Sequence, residues 1–414
     1  YSIPRLHRAF CRLRKNGAVG VDEVSWKTYQ EEIDERLRDL SQRLARGSYR
    51  PQPVRRVLIP KGNGKMRALG IPTIEDKLVQ QATVEVLNCI YEVDFKGVSY
   101  GFRPGRHQHM ALDALYMGIE KRKVNIVLDA DIRGFFDAVN QDWMLRFLGH
   151  RIADPRLLRM IAKILRAGVM VDGEVQATEQ GTPQGGVISP LLANIYLHYV
   201  LDLWVLNWRK APNRREVTYV RYADDFVVGF QSHRDANRFH RMLKERLQRF
   251  GLELHGEKSQ LIEFGRYAAE RRARRGAGKP KSFTFLGFLH VCGTWPDGKF
   301  KILRQTDPSR FRRKLKSVKG ELRRRMHHRV SEVGRWLRQV FTGHCNYFAV
   351  QSNKQAIKSF RRALKSLWKR TLIRRSQKGR RIAKKFKRIV KRYLPTCKTY
   401  HLEPYERFPR QYLT

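Results

Sequence analysis

With 414 residues, 42% of them hydrophobic, the chain is long enough for two or three packed units and too apolar for a disordered polycation. Its 85 Lys and Arg against 38 Asp and Glu leave a formal charge of +47 and a pI near 10.7. Self-repulsion on that scale calls for a polyanion, because each phosphate contact releases condensed counterions; a merely solvated basic surface is the poorer account.

Tyr1 to about Tyr49 predicts a helical segment, with Ile33, Leu37, Leu40 and Leu44 at helical spacing. Arg50-Pro-Gln-Pro breaks it. Val54–Ile59 alternates as a strand, the turn Pro60–Lys65 leads into Met66–Ile71, and the two predict a hairpin with a basic tip. A helix is expected from about Ile74 to Tyr91 and a strand over Asn125–Asp131. Thr218–Tyr222 and Phe226–Phe230 predict two more strands, with Ala223-Asp224-Asp225 as their hairpin tip. Helices are expected at Asp142–His150, Pro155–Ala167, Pro190–Trp208 and Arg234–Phe250. Leu191–Trp208 is apolar enough to suggest a membrane span, but Asn194, His198 and Asp202 interrupt it and are costly in lipid, so a buried helix is the better account.

An Arg- and Gly-rich stretch, Arg271–Lys281, separates this body from Phe283–Leu289. From about Arg310 three apolar stripes follow: Leu315, Val318 and Leu322; Val330, Val333, Leu337 and Val340; Phe360, Leu364, Leu367 and Trp368. Three amphipathic helices bury such stripes against one another. Residues 301–414 hold 35 Lys and Arg against 5 Asp and Glu, a surplus of 30; the tail from Thr371 shows no periodicity. The fold class is therefore α+β, with units at 1–49, 50–290, 291–370 and a basic segment at 371–414. Cys11, Cys89, Cys292, Cys345 and Cys397 lack zinc-ligand spacing and read as reduced intracellular thiols. No signal peptide opens the chain, and Tyr1 points to a start lying upstream.

Three carboxylates stand out. Asp131 ends an apolar strand, and Asp224-Asp225 tips a hairpin between two others. If those strands are neighbours, three acidic groups converge at one sheet edge. Joining a 3′ hydroxyl to a nucleoside triphosphate needs a deprotonated nucleophile, a stabilised leaving group and in-line geometry, which two metal ions ~3.5–4 Å apart supply. Hard cations such as Mg²⁺ keep several waters, so two or three carboxylates suffice. Each piece has a plain alternative: Asp-Asp suits any tight turn, and Asp-Ala-Asp suits a solvated strand end.

The order of motifs is more specific. Tyr222-Ala223-Asp224-Asp225 between apolar strands resembles the signature of reverse transcriptases, and Gly181-Thr-Pro-Gln-Gly-Gly-Val-Ile-Ser-Pro190 resembles their fourth block as group II intron enzymes write it. Leu58–Pro72, Ser99–Gly105, Asp131–Asp137, Gly251–Ser259 and Phe285–Phe288 resemble the first, second, third, sixth and seventh blocks. Trp336–Phe348 resembles the maturase thumb. The whole is similar to a bacterial group II intron-encoded reverse transcriptase/maturase: a right-hand polymerase whose fingers and palm (50–290) carry an antiparallel sheet, followed by an all-α thumb and a basic DNA-binding segment. Paired cysteines and clustered histidines of an HNH endonuclease are not seen after Leu394, so second-strand cutting is not expected.

This resemblance implies Asp131, Asp224 and Asp225 as ligands of two Mg²⁺ ions, with Mn²⁺ as a substitute and the Ile132 carbonyl adding an oxygen. Lys61 and Arg67 match positions gripping the incoming triphosphate, where cations offset developing charge; an exposed basic hairpin is their alternative. Phe136 matches the steric gate against a ribose 2′-OH, although without the resemblance Phe135-Phe136 is simply core. Gln184 and Lys258 fall near the nucleotide, and Tyr222 and Gly287 near primer and template. Asp129 shares a strand face with Asp131, but the motif does not require it. His344-Cys345 is assigned to thumb packing and His327-His328 to phosphate contact or surface.

The implied function is RNA-directed DNA synthesis copying intron RNA during target-primed insertion, together with maturase binding of that RNA through phosphate and shape contacts. Implied partners are group II intron RNA, a target DNA primer on an RNA template, and dNTPs, in a bacterial, nucleoid-associated cytoplasmic setting with no membrane; a homodimer is compatible. A domesticated enzyme of DNA repair or defence, or a purely RNA-binding splicing cofactor, are the alternatives.

Overall fold

The computed structural model describes residues 1–60, 66–171, 173–176, 180–182, 184–210, 216–375, 379–396 and 400–407. Its N-terminal helices follow the apolar spacing: Ile33–Ala45 buries Leu37, Leu40 and Leu44, and the short helix Trp26–Glu31 is capped by Ser25, whose hydroxyl accepts from the Thr28 amide.

Among the described residues eleven strands follow: β1 (Val54–Pro60), β2 (Met66–Ile71), β3 (Ile126–Ala130), β4 (Val169–Val171), β5 (Glu174–Gln176), β6 (Val217–Tyr222), β7 (Asp225–Phe230), β8 (Gln260–Glu263), β9 (Phe283–Phe285), β10 (Phe288–Thr294) and β11 (Phe300–Thr306). They form sheets ordered β2-β1-β4-β5, β6-β7-β3-β8 and β11-β10-β9. β1 and β2 pair antiparallel as the hairpin reading requires, with Ile59 opposite Arg67. β6 and β7 do likewise, with Tyr222 opposite Asp225. This is α+β architecture with antiparallel sheets and a helical C-terminal region, as expected.

The chain divides into two compact units, residues 1–111 with 128–261, and residues 112–127 with 262–413. In the first, the helix Ile74–Tyr91 starts on Thr73, whose hydroxyl caps the Asp76 amide at 3.2 Å. The buried Asp76 carboxylate accepts in turn from Thr73 Oγ1, the Gln52 amide and the Tyr49 hydroxyl. The expected helix at 190–208 is interrupted: Ser189–Leu197 and Leu203–Lys210 are α-helical, but His198–Asp202 between them is a π-turn. No described helix is long and apolar enough to cross a membrane.

In the second unit, helices Pro308–Arg324, Val330–Phe348 and Lys354–Arg374 bury the three expected stripes in one core, with Leu322, Leu337, Phe341, Phe360 and Trp368 almost fully enclosed. His344 stacks on Phe360 with ring centroids 3.9 Å apart, and burial pushes its pKa down to about 4. It is a neutral core residue, as assigned. Three stretches differ from expectation. Residues 291–306, grouped with the helical module, form the β10–β11 strand pair. Ala268–Arg274 is a helix reaching into the Arg/Gly stretch. Gly379–Tyr393, where no periodicity was evident, is a helix whose Phe386 and Val390, with Leu394 beyond its end, join the same core.

Candidate active site

The acidic edge is built by strands whose residues leave little choice. β3 is a nearly continuous apolar run, suited to a strand with a neighbour on each side, and it lies between β7 and β8. That order brings Asp131, just past the end of β3, beside the β6–β7 tip. The tip itself is a two-residue turn, with Ala223 at φ +57, in the left-handed region usually given to glycine. It places Asp224 half-buried and Asp225 exposed.

The backbone of Asp131 is clamped by the block at 251–259. The His255 amide donates to the Asp131 carbonyl at 2.8 Å, the Ser259 hydroxyl accepts from the Asp131 amide at 3.3 Å, and the Arg133 amide donates to the Glu253 carbonyl at 2.8 Å. These bonds flank Ile132, which faces Leu254 in an antiparallel bridge without spending its own carbonyl on it.

The electrostatics identify which carboxylates share the edge. Burial raises the Asp224 pKa, the Asp131 charge raises it further, and Arg67 opposes the shift. Asp129 is raised to about 7, first by burial and then by Asp225 and Asp131. Asp131 thus acts on both Asp224 and Asp129, Asp225 acts on Asp129, and the Arg67 charge is felt at Asp224. Sequence reasoning passed over Asp129, although its place on the Asp131 face was the available signal. Lys258 places its ammonium 2.6 Å from Asp131 Oδ2.

A second cluster lies at the blocks numbered first, third and fourth. The Thr182 amide donates to the Phe136 carbonyl at 2.8 Å, and a Cβ on Gly181 would meet that same oxygen at 2.8 Å. The Gly70 amide donates to the Gln184 carbonyl at 2.6 Å, and a Cβ on Gly185 would stand 2.5 Å from the Gly70 carbonyl oxygen. Only glycine permits that approach. Gly70, Gly181, Thr182 and Gln184 line a cavity of about 300 Å³ to which Phe136, Arg56 and Asp137 also contribute. Phe135 is buried as core, while Phe136 is half-buried at the cavity.

Tyr222 ends β6 next to the acidic turn, its ring against Gly101. Gly287 belongs to the second unit, in the tight β9–β10 turn at φ +80, where Tyr347 donates to the Leu286 carbonyl at 2.8 Å. Lys61 lies outside the described residues.

The donor set fits divalent cations. Hard oxygen ligands cluster at one half-buried edge, burial and neighbouring carboxylate charge raise the pKa of Asp129 and Asp224 in a way that a cation would offset, and a lysine ammonium already sits against Asp131. Among the described residues no three His, Cys, Asp or Glu side chains by themselves enclose one ion; Mg²⁺ sites that use one or two carboxylates with water and substrate phosphates do not need such an enclosure.

Residues 59–290 match the family model described as reverse transcriptase (RNA-dependent DNA polymerase). The chain is 39% identical over 211 residues to the group II intron-encoded protein LtrA of Lactococcus lactis subsp. cremoris, covering 50% of this chain and 35% of that protein. It is 37% identical over 240 residues to protein YkfC of Escherichia coli (strain K12), covering 50% of this chain and 62% of that one. The chain thus spans less than two thirds of the length of these relatives. A telomerase from Candida albicans in complex with telomeric RNA aligns over 91% of this chain and 68% of its own at 10% identity and a TM-score of 0.46, a likeness too low to carry an argument. The relatives bear out the kinship with group II intron-encoded proteins read from the motifs.

Proposed function

Since the chain belongs to the reverse transcriptase (RNA-dependent DNA polymerase) family, we propose that it is a group II intron-type enzyme that extends a DNA primer on an RNA template at the Asp131–Asp224–Asp225 edge. The observation that carries this reading is that Asp131, just past the end of β3, and Asp224, at the β6–β7 tip, are distant in sequence yet share one sheet edge, where the Asp131 charge adds to burial in raising the Asp224 pKa.

In this reading Asp131, Asp224, Asp225 and the Ile132 carbonyl hold two Mg²⁺ ions, with Mn²⁺ able to replace them. When bound, such ions favour the ionised 3′ hydroxyl and offset charge on the leaving pyrophosphate. Arg67, whose charge already lowers the Asp224 pKa, and Lys61 grip the triphosphate. Lys258 balances Asp131 and turns to the nucleotide when that charge is otherwise met. The Phe136 ring occupies the space a ribose 2′-OH would need, with Gln184 beside it to hydrogen-bond sugar or template. Tyr222 supports the primer end, and Gly287 of the second unit is assigned to primer or template contact.

The second role is maturase binding. The exterior of the helices between Pro308 and Tyr393 is dense in Arg and Lys, which suits group II intron RNA and target DNA through phosphate contacts. The proposed setting is the bacterial cytoplasm near the nucleoid.

Primer extension on an RNA template with dNTPs tests the first role, and splicing of the intron RNA that co-purifies tests the second. The wild-type chain should extend the primer, and Asp224→Ala should abolish extension while splicing support persists. No extension by the folded wild type would contradict the polymerase reading.

A further inference from the structure

We infer that Arg221, held by Asp202 and Asn194, is a positioning residue that fixes the Ala223–Asp224–Asp225 turn from beneath and so sets where the catalytic carboxylates stand. The inference rests on the polymerase reading of that turn.

Arg221 is fully buried, one residue before Tyr222 in β6. Its Nε and Nη2 donate to the two carboxylate oxygens of Asp202 at 2.8 and 2.5 Å, while Nη1 donates to Asn194 Oδ1 and to the Ala223 carbonyl, each at 2.9 Å. The last bond matters most. Ala223 occupies a backbone region that a residue with a Cβ rarely adopts, at the first position of the acidic turn. Holding its carbonyl fixes the peptide that leads directly into Asp224.

The support continues outward on both sides. Asn194 Nδ2 donates to the Gly101 carbonyl at 2.7 Å, and Gly101 lies so close to the turn that a Cβ there would stand 2.4 Å from the Ala223 amide nitrogen. The Tyr100 amide donates to the Arg221 carbonyl and the Arg221 amide to the Val98 carbonyl, both at 2.9 Å, so the 98–101 segment and β6 are fastened together. On the other side the Tyr219 hydroxyl donates to Asp202 Oδ1 at 2.7 Å. Asp202 closes the π-turn His198–Asp202, whose extra residue shifts the register between Asn194 and Asp202.

The guanidinium is suited to this work because its planar fork can grip a carboxylate through two bonds and still direct a third nitrogen upward. A lysine ammonium has no such fork. A buried pair alone would be weak evidence for anything beyond core packing; the bond to the Ala223 carbonyl and the closeness of Gly101 to the same turn tie it to the site.

The test compares Arg221→Lys and Asn194→Ala with Tyr49→Phe, which removes a bond to buried Asp76 far along the chain from the turn. For each purified full-length chain the readouts are melting temperature, kcat per folded molecule with KM for dNTP on an RNA-templated primer, and Mn²⁺ affinity by electron paramagnetic resonance. Arg221→Lys should lower kcat by about 10- to 100-fold and Mn²⁺ affinity by about 10-fold, with KM changed by less than about 3-fold, as expected of a group that orients ligands without touching substrate. Asn194→Ala should move both quantities the same way to a smaller extent, and it carries the test if Arg221→Lys does not fold. Tyr49→Phe should lower the melting temperature alone. Wild-type kcat and Mn²⁺ affinity in both palm variants would overturn the positioning role. Failure of the wild type to extend a primer would instead overturn the polymerase reading on which it rests.

Discussion

The acidic edge of the first unit and the basic helices of the second deal with charge in opposite ways. At the edge, Asp129, Asp131, Asp224 and Asp225 are crowded until burial and repulsion raise Asp129 to about 7, and their positions depend on single hydrogen bonds such as that from the His255 amide to the Asp131 carbonyl. In the helices Pro308–Arg324 and Lys354–Arg374 the Lys and Arg side chains lie mostly outward around an apolar core of Phe341, Phe360 and Trp368. The difference teaches that chemistry here should be sensitive to one atom and nucleic-acid grip to total charge. One region is a geometry; the other is a field.

The sharpest way to break that contrast is Asp224→Asn, which keeps the shape and removes one charge. Extension should fall by at least about 10³-fold, typical of losing a group aimed at reacting charge, while RNA affinity stays within about 2-fold. A parallel loss of RNA affinity, read by filter binding, would merge the two regions into one function.

Salt should act the other way. Raising it from about 50 to 200 mM should weaken RNA binding by about 10³-fold if several phosphates are neutralised at once. kcat at saturating template and primer should hardly change. A shallow slope would mean that the basic helices do not bind as a field.

Phe136→Ala sharpens the geometric side. Opening the cavity beside Gln184 should raise use of rNTPs relative to dNTPs by about 10- to 100-fold, the scale on which a pocket discriminates one hydroxyl, measured as the ratio of kcat/KM values. An unchanged ratio would return Phe136 to the core.

The smallest effect concerns pH. Because Asp129 is raised in the folded chain, the native state holds its proton where the unfolded chain has lost it. Its contribution is therefore complete below about pH 4 and is lost as pH rises to about 7. The loss has a ceiling of about 4 kcal/mol, at roughly 1.4 kcal/mol per pKa unit. Asp129→Asn should flatten this part of the pH–stability curve in metal-free denaturant melts; an unaltered curve would remove Asp129 from the acidic cluster.

Much of this was legible from sequence because it is local. The apolar run before Asp131, the paired runs around Asp224 and the three helical stripes each carry their own periodicity. The relation of β3 to β7 was not local, and the motifs only implied it. Asn194 and Asp202 were legible as costly polar residues in an apolar helix, an argument against lipid, but their shared partner Arg221 lies on the strand β6. A polar network closed by tertiary contacts leaves no spacing to read. The π-turn that aligns them is equally silent in sequence. Phe386, Val390 and Leu394 do recur every four residues, yet the surrounding Lys and Arg mask the stripe until its partner Trp368 is seen. Asp129 was visible on the right face of its strand, and only the crowding by Asp225 shows why it matters.

The most direct trial of the account is the number of Mn²⁺ ions bound by the chain with template, primer and a non-reacting nucleotide, counted by electron paramagnetic resonance. Two ions per wild-type molecule and a loss of tight binding in Asp131→Asn are predicted. Undiminished binding of both ions by Asp131→Asn would place the cations elsewhere and contradict an active centre at this sheet edge.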